Sequence, residues 1–524
     1  MKASLSALLS GALLAAGLVT RFALLSYPRQ VVWDEYHFGK FVNGYIHGEY
    51  FFDIHPPLGK LLLAATASAG GYDGRQSWDK IGLDIAPDVQ LYALRFLPAL
   101  QGAVIPWLLF ATGRAMDLSL PAALLPAVAA LFDLCFLVES RLVLTDVTLL
   151  LGIILQLYGA FSSDAHAPLS RGWLTATTLS GVGISLAVCT KWAGASALAL
   201  AGLHSLAALA RAAARLRARP TRAAAARLAA EAAARLGLLV ALPLAAYVGS
   251  FALHFRLLPR TGDGARFMTP AFRASLGGDV VGAALLELPG FSAPSFWAKL
   301  RELNGEMLRA NRDLSKGHDF SSRWWEWPLM IRTVLYWNGK RPPYIDATRQ
   351  FARIYCIGSP LVWWAAALAP STYAAVLLHA LLGDAPAERD RGTSAWRGAL
   401  LLAGYCVNWL PFILVERTQF LYHFLPSLVF ALLLLGVLFD HFVPPSPLLR
   451  GRQADEKHAE AAAAVGLRLP HLDAIEQPGG LRWLLLALLV YAFAGVFAFF
   501  APLAYGFPLD AAAFEARMWL KSWA

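Results

Sequence analysis

Apolar residues along this chain fall in blocks of roughly 20 separated by short polar breaks, the length that crosses a hydrocarbon core as a helix. The blocks lie near residues 5–26, 91–112, 119–138, 143–162, 172–190, 193–210, 236–256, 352–381, 398–416, 419–443 and 483–505. They predict an all-α polytopic membrane protein, one bundle of about eleven transmembrane helices. The opening Leu/Ala stretch behind Lys2 is longer than the apolar core of a cleaved leader and reads as the first span. With 57% apolar and 15% charged residues, the 524-residue chain has too little polar surface for a soluble enzyme.

The net charge of +10 would suit a nucleic-acid partner only if the cations formed one groove. They are spread over several short loops instead. The connector between the sixth and seventh spans holds Arg211, Arg215, Arg217, Arg219, Arg222, Arg227 and Arg235 against a single acid, Glu231, which places it in the cytoplasm. By alternation the N-terminus and the loops near Arg114, Arg171, Arg389 to Arg397 and Arg450 to Arg482 share that side. The connector itself reads as a solvated or lipid-surface helix. Residues 27–90, 257–350 and the tail after Pro508 fall on the opposite face, with nearly all the unusual polar and aromatic residues. Cys135, Cys189, Cys356 and Cys406 lie in or beside apolar runs without metal-ligand spacing and read as small core residues rather than a disulfide framework.

On that face Asp34 and Glu35 follow the first span, bracketed by Trp33 and Tyr36, with His37 close behind. Adjacent carboxylates point different ways on any regular backbone, so they imply separate roles. One reading is an interfacial loop; the other is a general base beside a substrate-orienting acid. Asp53 and His55 precede Pro56-Pro57 and a run too short to span, Leu61 to Gly70, which is expected to lie along the membrane surface. There Asp53 is either a helix-start acid or a site residue. Glu139-Ser140-Arg141 and Lys191-Trp192 end two spans on this face, and such cations suit a phosphate or snorkel to the interface. His318 leads into Trp324, Trp325 and Glu326, a surface fit for sugar stacking or membrane anchoring. Arg417 adds a further cation near Tyr422 and His423.

In their order along the chain these pieces resemble the protein O-mannosyltransferase family. They are Asp34-Glu35 with His37-Phe38-Gly39, Phe52 to Lys60, Glu139-Ser140-Arg141, Lys191-Trp192, Phe267 to Phe272, His318 to Pro328, Gly358-Ser359-Pro360 with Trp363-Trp364, and Arg417 to Pro426. The resemblance implies a GT-C type glycosyltransferase fold and transfer of mannose from dolichyl (polyprenyl) phosphate mannose to Ser or Thr hydroxyls of a polypeptide, with inversion. It casts Asp34 as the base and Glu35 as the acceptor-positioning residue. Arg141, Lys191, His318 and Arg417 are cast as donor-phosphate ligands. His37, Asp53, His55, Trp324, Trp325 and Glu326 support the substrates and loops. No metal or other cofactor is implied. The expected partners are membrane lipids and a homo- or heterodimeric mate, and the expected place is the endoplasmic reticulum membrane, or the plasma membrane of a prokaryote.

The expected organisation is an N-terminal transmembrane region, residues 1–256, with its catalytic loop 27–90. A second loop, 257–350, and a C-terminal transmembrane region, 351–524, follow. Two departures from the family pattern stand out. Only Leu276 to Pro294 separates motifs between which many members carry a β-trefoil MIR domain, and His318-Asp319-Phe320 replaces the usual His-Pro-Tyr. Another GT-C transferase acting on lipid or glycan would share Asp34 and the cations but not the Asp53 to Lys60 motif. A transporter would show interrupted helices or paired halves, and an inactive partner subunit would not be expected to keep Asp34, Glu35 and Arg141.

Overall fold

The computed structural model describes residues 2–313, 317–339, 351–382, 389–443 and 480–523. The N-terminal half runs α1 (Lys2–Phe22), α2 (Glu35–His47), α3 (Leu58–Ala69), α4 (Leu91–Ala115), α5 (Leu120–Leu131), α6 (Leu134–Arg141), α7 (Asp146–Ser163), α8 (Arg171–Val188), α9 (Ala195–Ala218), α10 (Arg222–Leu236) and α11 (Leu242–Leu257). Then come the short α12 (Pro270–Arg273) and α13 (Val280–Leu286), the amphipathic α14 (Phe296–Asp313), and strands β1 (Val334–Asn338) and β2 (Phe351–Cys356). The chain closes with α15 (Pro360–Leu382), α16 (Arg389–Trp409), α17 (Leu425–Phe442), α18 (Gly480–Tyr505), β3 (Pro508–Leu509) and α19 (Ala511–Glu515).

Among the described residues nine helices are long and apolar enough to cross a membrane, ten with the α5/α6 pair. The helix α8 is of spanning length but too rich in Thr, Ser and Gly to be one of them. It packs on α7 at backbone distance: a Cβ on Gly183 would come within 2.4 Å of the Gln156 nitrogen. Close small-residue approach of this kind is how helices cohere where lipid removes the hydrophobic drive between them. The Arg-rich connector is built as the projecting ends of α9 and α10, with the Glu231 carboxylate paired to Arg235 at 2.9 Å.

Three expectations are corrected. The span expected at 119–138 is two helices meeting at 56°, because Asp133 interrupts the apolar run and its side chain accepts from the Phe136 N–H to cap α6. The span expected from residue 352 starts at Pro360, since residues 351–356 form the middle strand of a small antiparallel sheet, order β1-β2-β3, with Val334 opposite Cys356 and Ala352 opposite Pro508. The α3 helix, expected along the membrane surface, packs between α2 and α4 and buries Lys60, Leu61, Leu63 and Ala67. The basic stretch from Arg450 to the start of α18 lies outside the described residues.

The loops assigned to one face do meet. The Trp33 N–H donates to the Tyr336 carbonyl, the Tyr50 N–H to the Arg260 carbonyl, the Ser322 N–H to the Gln419 carbonyl, and Thr333 Oγ1 to the Trp523 carbonyl.

Candidate active site

A cavity of about 730 Å³ opens where the starts of α7 and α9 face the segment from α16 to α17. Its lining is largely apolar, with Leu149, Ala195, Ala199, Val407 and Leu414, and it also carries His55, Asp146, Lys191, Asn311, Glu416, Arg417 and His423. Apolar lining combined with cations and imidazoles suits a lipid chain that terminates in an anion.

The polar lining residues are held from several elements. Lys60 donates to the Asp53 carboxylate and to the carbonyls of His55 (2.7 Å) and Pro56 (3.1 Å), closing the loop that carries His55. Gly59 lets this loop seat against the bundle, because a Cβ there would lie 2.9 Å from the Thr145 and Thr190 methyls. Burial, with Lys191, Lys60 and Arg417 nearby, drives the His55 pKa well below its usual value, so the ring is neutral. Lys191 reaches both oxygens of Asp146 at 2.8 Å. Arg417 donates to Asn311 Oδ1 at 2.8 Å and to His423 Nε2 at 3.0 Å. Since guanidinium can only donate, His423 Nε2 is the acceptor, and the ring is fixed at its other nitrogen, Nδ1, which lies 3.0 Å from both the N–H and the carbonyl of Phe420.

Asp34 sits at the N-cap of α2, outside the cavity lining, and among the described residues its carboxylate has no hydrogen-bond partner, the α2 N–H groups included. Burial pushes it up to about 7, with Asp146 and Asp53 adding to the rise and Lys191 opposing it. Its neighbour Trp33 adopts φ 45°, a left-handed backbone that bulky residues rarely occupy and that clusters at functional sites. The indole is stacked on Tyr336 (centroids 4.9 Å, planes 4° apart), and the Tyr336 hydroxyl donates to Glu139. A chain of contacts from α6 through β1 thus sets the angle at which Asp34 is presented.

Residues 11–259 match the family model described as dolichyl-phosphate-mannose-protein mannosyltransferase, and residues 296–523 match the C-terminal four-transmembrane region of protein O-mannosyltransferase. The chain belongs to the protein O-mannosyltransferase family. It is 36% identical over 263 residues to dolichyl-phosphate-mannose–protein mannosyltransferase 4 of Candida albicans, covering 49% of this chain and 34% of that protein. It is 37% identical over 263 residues to protein O-mannosyltransferase 1 of Drosophila pseudoobscura, again 49% of this chain and 28% of the other. The chain therefore matches about a third or less of these relatives' lengths. Its fold is that of the Saccharomyces cerevisiae protein O-mannosyltransferase Pmt1–Pmt2 complex bound to the sugar donor, with TM-score 0.84 at 20% identity, covering 99% of this chain and 92% of that one. This is the GT-C type of fold.

For this mannosyltransferase-family chain, the geometry sorts the residues expected to act. Lys191, His55 and Arg417 meet at the cavity, and Asp53 supports the His55 loop through Lys60. Glu35, expected to position the acceptor, is fully buried instead, its two oxygens gripped by Arg95 at 2.7 and 2.8 Å and by the Val32 and Val143 N–H groups at 3.0 Å. Arg141, expected at the donor phosphate, is engaged elsewhere and does not line the cavity. It donates to the carbonyls of Arg21 (3.0 Å), Ala23 (2.5 Å) and Leu24 (3.0 Å) and lies over the Tyr505 ring, fastening the end of α1. The network expected between Glu139 and Arg141 does not form, since residues two apart on a helix face away from each other. Arg141→Ala is accordingly expected to lower the melting temperature while leaving the donor KM within about threefold of wild type, measured on detergent-purified protein.

His318 is exposed, lies edge-on to Trp33 (5.4 Å) and Phe420 (5.3 Å) and, like Asp34, is not among the residues lining the cavity. His37 packs on Tyr36 and Phe41 away from the cavity. Trp324, Trp325 and Glu326 line an adjoining groove of about 520 Å³ that shares Glu416 and Arg417 with it, and Trp324 packs on Trp409. Asp146 and Asn311 lie outside the motifs that carry the resemblance, and Tyr422 and His423 lie inside the Arg417 to Pro426 motif without a role of their own. An acid opening an apolar span opposite a lone Lys was the available sign for Asp146.

Proposed function

We propose that the chain transfers mannose from dolichyl (polyprenyl) phosphate mannose to Ser or Thr hydroxyls of a polypeptide, with inversion, on the face where the loops gather. The observation that carries the reading is the cavity whose largely apolar lining also holds Lys191, Arg417, His55 and His423, with Asp34 outside that lining but near enough to Lys191 and Asp146 to feel both charges. The names of the relatives, which pair dolichyl phosphate mannose with protein acceptors, support the same donor and acceptor. Arg417 and Lys191 would hold the phosphate and stabilise it as it leaves, a preorganised electrostatic contribution. Asn311 orients Arg417, and Asp146 keeps Lys191 extended toward the cavity. Asp34 takes the acceptor hydroxyl's proton as oxygen attacks the anomeric carbon from the side opposite the phosphate. The adjoining groove with Trp324, Trp325 and Glu326 receives the acceptor backbone.

The chain would act as an endoplasmic reticulum membrane protein, or in the plasma membrane of a prokaryote, and pair with itself or a related transferase. The donor-bound yeast Pmt1–Pmt2 complex supports the pairing. Its catalytic loop is residues 27–90, and its second loop works without a MIR domain.

The test is transfer of labelled mannose from dolichyl phosphate mannose to a Ser/Thr-rich peptide by membranes containing the chain, alone and with a co-expressed relative. Absence of O-linked mannose in both would sink the proposal. Two further outcomes are expected. Arg417→Ala raises the donor KM about 10- to 100-fold, the size of one lost charge-assisted bond, with a smaller change in acceptor KM. Because a base must be ionised and the Asp34 pKa is raised to about 7, the rate climbs about tenfold from pH 6 to pH 8. A flat profile measured at saturating substrates counts against Asp34 as base.

A further inference from the structure

Two sulfur atoms meet between the halves of the molecule, at a point the transfer reaction does not use. Cys135 lies in the first turn of α6 and Cys356 ends β2, 221 residues later; their Sγ atoms are 2.9 Å apart and both residues are fully buried. That is closer than unbonded atoms of this size rest. We propose that Cys135 and Cys356 form a disulfide in the mature protein.

The surrounding backbone keeps the two sulfurs together. One Asp133 oxygen accepts from the Ser359 N–H (2.9 Å) and the Trp363 indole (2.7 Å), and the other caps α6 through the Phe136 N–H at 3.0 Å. Ser359 Oγ donates to the Phe132 carbonyl at 2.5 Å. Residues 132–136 and 356–363 are thus clamped side by side, and the thiols cannot separate unless this clamp breaks. Among the described residues no third His, Cys, Asp or Glu joins the pair in an arrangement that could hold a metal ion. The sheet lies with the loops opposite the Arg-rich connector, on the face the charge pattern puts outside the cytoplasm, where disulfides form and persist.

The oxidant belongs to the class of protein disulfides carried by thiol oxidoreductases. One cysteine thiolate attacks a sulfur of that disulfide, giving a mixed disulfide and one oxidant thiol. The second thiolate then displaces the other oxidant sulfur, so the Cys135–Cys356 bond forms and the oxidant leaves as a dithiol carrying the two protons. Both sulfurs are inaccessible once β2 is seated on α6, so the exchange precedes that docking. The bond would tie the helix that carries Glu139 to the strand paired with the one that carries Tyr336. Cys189 and Cys406 have no such mate and stay reduced.

The test is to quench cells with acid, denature the protein in the presence of N-ethylmaleimide and count alkylated cysteines by mass spectrometry. Two of four are expected to label, rising to four when reductant is added first, and a non-reduced digest yields one cross-linked peptide pair holding Cys135 and Cys356. Labelling of all four without reductant overturns the proposal. A second measurement uses Cys135→Ala, Cys356→Ala and the double variant. With a bond, all three melt at the same lowered temperature, and reductant lowers the melting temperature of the wild type alone. Additive losses with no effect of reductant overturn it as well.

Discussion

Asp34→Asn is expected to cut mannose transfer by about 10²- to 10⁴-fold, the contribution of a positioned general base, while the melting temperature holds or rises. The amide keeps the shape of the side chain, and the carboxylate it replaces makes no hydrogen bond that would be lost. Stability should even improve slightly above neutral pH. The folded pKa of about 7 exceeds the usual 3.8, so ionising Asp34 opposes folding between those values and the amide removes that cost. Activity within tenfold of wild type would move the base elsewhere. Glu35 would not be the replacement, because its oxygens are occupied by Arg95 and two backbone N–H groups.

Glu35→Ala should fail in a different way, losing about 3–5 kcal/mol of stability because it strands the Arg95 guanidinium in an interior with no exposure. The protein is expected to accumulate poorly and to melt far below wild type, whatever its substrates. Replacing both partners, Glu35→Leu with Arg95→Met, removes the orphaned charge and should recover part of the loss. A Glu35→Ala protein that folds normally and differs only in acceptor KM would show that Glu35 faces the acceptor after all.

The contrast between these neighbours marks how far the chain could be read before its structure. The bundle was legible because a span must be long and apolar, and the side of the loops because cations mark the cytoplasmic ends. Asp34 was legible as an acid set among aromatics at a span end. The engagement of Glu35 was not, because its partner Arg95 sits 60 residues away inside the next span and nothing local in the sequence links the two. Arg141 misled for a related reason: a cation near the right face looks like an anion ligand until its donors are traced to the carbonyls that end α1. The strand at 351–356 was absorbed into a span because its residues are as apolar as the helix behind it. Its pairing with residues far along the chain leaves no local trace.

The gathering of loops on one face also dictates when the site comes into being during synthesis. Asp34 precedes by hundreds of residues both Arg417 of the cavity and the β1 strand that angles Trp33, and the carbonyl of Trp523 closes the same layer. A nascent chain halted after α11 would carry Asp34 and Lys191 without Arg417 or the strand that angles Trp33. On the proposed reaction, transfer would await insertion of α16 and α17, so the polypeptide would not glycosylate its own loops as they emerge.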